Sequence, residues 1–140
     1  MLDHQSECVT SLGVELNKFF YTSLLADVRK PNIKSFLTLY YDSFKSVLQE
    51  AGMEMRFTED ELHEEYRRTF MMGLISIAMA APLLLSDPDS TIDMKDMNKD
   101  NADDKIKEFY ERVIAVAKKN PLLKAKLLDT CDEFLELGLL

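Results

Sequence analysis

The strongest limit on the fold is a stretch without a single charge, Phe70 to Leu85 (FMMGLISIAMAAPLLL). It falls short of the roughly 20 apolar residues that a membrane-spanning helix requires, and Pro82 interrupts it. Because it is apolar on every side, a helix formed from it must be surrounded by protein. The residues before it, EDELHEEYRR, are polar on most sides, so a single third helix is expected to start beside Thr58 and to run from solvent into a core.

Helical spacing dominates the rest of the chain. Leu12, Leu16, Phe19, Phe20, Leu24 and Val28 recur every three or four residues, which predicts a first helix from Leu12 to about Asp27. Pro31 suits the first turn of a second helix, on which Ile33, Phe36, Leu37, Tyr40, Phe44, Val47 and Leu48 keep the period. Gly52 is expected to close it in the left-handed conformation. Thr58 and Glu61 form a capping-box pair, with Glu59, Asp60 and Glu61 set against the positive end of the helix dipole. Residues 87–104 are rich in Asp, Asn and Ser and lack an apolar period, as an acidic surface loop would. A fourth helix carries Ile106, Phe109, Tyr110, Val113, Ile114 and Ala117. Pro121 opens a fifth with Leu122, Leu123, Leu127, Leu128, Cys131, Phe134 and Leu135, which ends at Gly138. No repeat and no sustained period-two pattern appears, so the expected class is all-α with about five helices.

A chain of 140 residues supports one hydrophobic core, and 46% hydrophobic with 30% charged residues is the composition of an ordered domain. The formal net charge of -8, with no basic stripe, speaks against nucleic acid as a partner. Cys8 and Cys131 stand far apart without CxxC spacing, and no basic leader precedes an apolar stretch. A cytoplasmic protein with no membrane contact is expected.

The sequence carries fragments of several motifs that would support chemistry. Asp96, Asn98, Asp100 and Asp104 occupy four places of a calcium loop, but Asn101 stands where Gly is needed and Lys107 where a bidentate Glu should close the shell. His63 and Glu64 open a zinc-protease helix motif that fails at Arg67, where the second His belongs. Glu61, Glu64, Glu65, Arg67 and Arg68 are better explained as a solvated face of helical ion pairs. Met53, Met55, Met71, Met72 and Met79 fit core packing. No catalytic residue is assigned.

Three stretches taken in order carry a family resemblance: LNKFFYTSLLADVRKPNIKSFLTLYYDSFKSVLQEAG (Leu16–Gly52), FTEDELHEEYRRTFMMGLISIAMAAPLLLS (Phe57–Ser86), and the acidic loop with two closing helices. The chain resembles the C-terminal part of ecdysteroid-kinase-like, or CHK-kinase-like, proteins of the protein-kinase-like superfamily, relatives of choline and aminoglycoside kinases. The resemblance implies the helical C-lobe of a small-molecule kinase, one partial domain over residues 1–140. Leu2-Asp3-His4-Gln5 is similar to the family's Asp-Phe-Gln segment, which makes Asp3 the magnesium position. His4 departs from the aromatic there, and Glu15 stands in place of an aspartate that braces the active-site loop.

The family's nucleotide lobe, phosphate lysine and His-x-Asp-x4-Asn loop do not stand in these residues. The chain is therefore expected to be a truncated C-lobe, inactive alone and without a cofactor of its own, ATP and magnesium belonging to the parent family. The resemblance further implies a small apolar hydroxylated ligand in a pocket lined by Tyr21, Tyr40, Tyr41, Phe44 and Met71. Self-association is expected through the face that the missing lobe would cover. The alternative is a non-catalytic helical module for an apolar ligand or a partner protein.

Overall fold

The structure, a computed structural model, describes residues 10–84 and 101–139, with residues 80–84 given by their backbone alone. Among the described residues it is all-α: α1 (Leu12–Ser23), α2 (Ala26–Glu50), α3 (Glu59–Arg68), α4 (Met71–Leu84), α5 (Ala102–Lys119) and α6 (Pro121–Glu136). The chain divides into two compact units, Met1–Gly73 and Leu74–Leu140.

In the first unit α1 packs mainly on α3, and α2 packs on both. Leu16, Phe20, Leu37, Leu62 and Tyr66 form its core, with Leu12, Leu24, Ile33, Phe36 and Phe70 against them. The first helix ends four residues earlier than its apolar spacing predicts. Leu24 and Leu25 both take up extended backbone, and the Leu25 carbonyl starts α2 by accepting from the N–H groups of Val28 and Arg29 at 3.2 and 2.8 Å. Val28 therefore belongs to α2, where it is exposed. Pro31 lies inside that helix rather than in its first turn. It forgoes one ladder bond, a defect that a helix of 25 residues absorbs.

The expected third helix is two helices. The Thr69 N–H still reaches Glu65, but the N–H groups of Phe70, Met72 and Gly73 turn to carbonyls three residues back, Arg67, Thr69 and Phe70. The Tyr66 carbonyl, which a continuous helix would give to Phe70, accepts instead from the Asn17 side-chain amide at 2.9 Å. A side chain of α1 thus stands in for a backbone donor where the helix breaks. Glycines allow the close approaches this requires. A Cβ on Gly13 would lie 2.6 Å from both the Glu65 carbonyl oxygen and Thr69 Oγ1, and one on Gly73 would lie 2.4 Å from the Tyr21 ring.

The local caps follow the sequence. The Thr58 hydroxyl accepts from the Glu61 N–H at 3.2 Å, and the Thr58 N–H donates to Glu61 Oε2 at 2.7 Å. At Gly52 (φ 71°) the Met53 N–H reaches the Leu48 carbonyl and the Gly52 N–H that of Gln49, the paired bonds of a Schellman ending. Gly138 (φ 68°) closes α6 in the same way.

In the second unit α5 and α6 pack together. Asn120 caps α6, its Oδ1 accepting from Leu122 and Leu123 N–H at 3.0 and 3.1 Å, and Pro121 takes the first turn as expected. Helix α5 takes in Ala102, Asp103 and Asp104 from the end of the expected acidic loop. Residues 87–100 of that loop lie outside the described residues. Phe109 and Val113 are buried, whereas Ile106, Tyr110 and Ile114 on the same predicted apolar face are exposed.

Candidate functional site

The site begins with two neighbouring stripes on α2. Phe36 and Tyr40 turn toward α1, while Leu39, Ser43 and Val47, one position round, form a second, exposed stripe. A stripe this wide exceeds what one short helix can bury. From α1, Leu16 and Phe20 enter the core, and Glu15 and Phe19 stand beside them at the edge. Between the two helices lies an apolar groove of about 610 Å³, with Leu24 also in its lining. Phe19 and Leu39 remain 58% and 65% exposed at its rim, so the groove is open to solvent.

Its walls are aromatic. Phe20 lies 5.7 Å from Phe19 and 5.8 Å from Phe36 by ring centroids, and it meets Tyr66 edge-on from below at 5.9 Å. Tyr40 stacks nearly parallel on Phe44 at 6.0 Å. Partial burial pushes the Tyr40 hydroxyl pKa up from its ordinary value. Glu15 is the charged side chain of the lining, and Lys18, also on the surface, holds its Oε1 at 3.2 Å. Volume, apolar walls and a few polar groups at the edge are the makings of a small-molecule site.

Of the five pocket residues expected from sequence, Tyr40 lines this groove and Phe44 backs it. Tyr21 is buried elsewhere, beneath the Arg29 guanidinium, 3.7 Å from its ring centroid. Tyr41 is not in the lining and donates to the Phe57 carbonyl at 3.2 Å. Met71 is exposed at the start of α4 and does not line the groove. Asp3, the magnesium position, lies outside the described residues, as do Asp96, Asn98 and Asp100. Among the described residues no three His, Cys, Asp or Glu side chains come together to hold a metal.

The carboxylates of the helix carrying the expected ion pairs are engaged both within it and by neighbouring elements. Glu65 receives two bonds from Arg68, at 2.6 and 2.7 Å. The Arg68 hydrogen bonds, with a further one from Ser11, hold its carboxyl down at about 2. Glu59 accepts from the Thr38 hydroxyl at 2.5 Å and lies 3.7 Å from His63 Nε2. A second cleft, about 310 Å³ between Leu12, Phe57 and Leu62, is edged by Glu61 and Glu65, both already engaged by the capping box and by Arg68.

Comparison with known proteins gives the chain a family. The family model described as "Uncharacterized oxidoreductase dhs-27" (DUF1679) matches residues 1–121. The chain belongs to that family. The matched span takes in the whole groove and runs through α5 to the start of α6. No curated protein and no solved structure matches the chain.

Proposed function

We propose that this chain is the substrate-side helical part of a small-molecule phosphotransferase of the ecdysteroid-kinase-like type, with the α1–α2 groove receiving the apolar body of a hydroxylated ligand. The observation that carries the reading is the groove itself: about 610 Å³, walled by Leu16, Phe20, Phe36 and Tyr40 and open at one side. The order of the three sequence stretches supports the kinase-like part of it. So does Asp3, at the start of the chain, as the family's magnesium position. A setting in the cytoplasm belongs to the same reading, supported by cysteines too far apart in sequence for a CxxC pair.

The word oxidoreductase in the family's description finds no support in these residues. A dinucleotide cradle needs closely spaced glycines, and the nearest two here are Gly52 and Gly73. The groove also favours a second reading, a non-catalytic module that binds an apolar ligand, since the His-x-Asp-x4-Asn loop is not among these residues.

Thermal denaturation with ligand separates the two. A water-soluble hydroxylated steroid should raise the melting temperature by linkage, and Leu39→Glu at the exposed rim should remove the shift without lowering the protein's own melting point. A further shift with nucleotide and magnesium, lost in Asp3→Ala, identifies the phosphotransferase. A steroid shift alone identifies the binding module, and no shift with any of them rejects the groove as a ligand site.

A further inference from the structure

The charge at the groove's edge selects among apolar ligands. Rings from Phe19, Phe20, Phe36 and Tyr40 line it, and the charged group among the lining residues is the carboxylate of Glu15, one helical turn before Phe19. No Lys or Arg is part of the lining. Aromatic faces carry negative quadrupole potential, so rings beside a carboxylate favour a cation over a neutral or anionic group. The whole chain adds to this with its formal net charge of -8.

Glu15 also differs from the carboxylates of the smaller cleft. Glu61 is fixed by the Thr58 cap and Glu65 by two bonds from Arg68, whereas Glu15 gives one oxygen to Lys18, a solvent-exposed pair of the kind that contributes little. A ligand cation can take that place at small cost.

We propose that the α1–α2 groove takes an amphipathic organic cation, its apolar body between Phe20, Phe36 and Leu39 and its ammonium group at Glu15. The proposal rests on the reading that this groove holds a small apolar ligand, and it adds the ligand's charge. Both hydroxyls of the α2 wall, Tyr40 and Ser43, suit further polar groups on such a molecule.

Three probes with one tail test it: octylammonium, octanol and octyl sulfate, titrated calorimetrically into the full chain at low ionic strength. The expected order is octylammonium tightest, about tenfold over octanol, with octyl sulfate weakest; added salt narrows the gap. Glu15→Gln, an exposed position, should bring octylammonium to within about twofold of octanol and leave octanol unchanged. Equal binding of octylammonium and octanol to the native chain overturns the cation assignment while leaving the groove a ligand site. A preference that survives Glu15→Gln undiminished does not come from that carboxylate and overturns the assignment too. Failure of all three probes, or octanol binding that Leu39→Glu does not weaken, rejects the groove itself and the assignment with it.

Discussion

Replacing Asn17 by alanine should be among the most damaging single changes in the first unit. The side chain is fully buried, and its amide nitrogen lies 2.8 Å from the Gly13 carbonyl, 2.9 Å from that of Tyr66 and 3.0 Å from Thr69 Oγ1. Thr69 Oγ1 donates to the Glu65 carbonyl at 2.8 Å and reaches that of Tyr66 only at 3.3 Å, so the larger loss is at Tyr66, where Asn17 supplies the shorter bond in place of the one the α3–α4 break withdraws. Leaving a buried acceptor short of its donor costs about 1–3 kcal/mol. The lost amide adds a small void. Against this, Asn17 Oδ1 accepts nothing among the described residues, and removing it recovers part of the cost. A net loss of about 2 kcal/mol follows, which for a unit of this size lowers the melting temperature by roughly 8–16 °C. Circular dichroism at 222 nm during heating measures it. Asn17→Leu fills the space without a donor and should be comparably destabilised. If alanine shifts the midpoint by less than about 3 °C, or if leucine restores it, the hydrogen bond to Tyr66 is not what holds the seam.

Two further outcomes follow from the same seam. Gly13→Ala places a methyl 2.6 Å from the Glu65 carbonyl oxygen, where backbone must move, so it should cost about 1–3 kcal/mol in urea unfolding even though alanine is the better helix former; a stabilised variant would refute the close approach. The Glu65 carboxyl, held at about 2 by Arg68 and Ser11, lies below its unfolded value, so its contribution is present above about pH 4.5 and disappears as pH falls toward 2. At this partly exposed pair it should be under about 1 kcal/mol, and melting curves of native and Glu65→Gln protein should converge across that window; a gap independent of pH would refute it.

What the sequence revealed was what neighbours in the chain decide. The Thr58–Glu61 box, the glycine endings at Gly52 and Gly138 and the proline start at Pro121 each involve residues a few positions apart, and each formed as expected. The break at Thr69 is not visible in the sequence because Asn17, the donor that makes it tolerable, stands 49 residues from its acceptor Tyr66. Pro31 was misplaced for a related reason: proline fits a first turn best, yet the helix begins where Leu25 turns extended. At the groove, the family resemblance points to Tyr40 and Phe44 but also to Tyr21 and Tyr41, since an aromatic at helical spacing serves equally in a core, against a loop or at a cavity wall. Leu39, Ser43 and Val47 form a second four-residue series beside Phe36 and Tyr40, and its two apolar members widen the apolar face of one helix enough to leave part of it uncovered.

Helix α1 has 12 residues, a length at which an isolated helix scarcely persists in water. It is ordered by docking on α3 through Gly13 and Asn17, and the Glu15, Phe19 and Phe20 wall of the groove is ordered with it. The wall and the seam therefore share one equilibrium. Whatever fills the groove shifts the population toward docked α1, and whatever weakens the seam lowers the fraction of molecules able to bind, although Asn17 itself touches nothing in the groove.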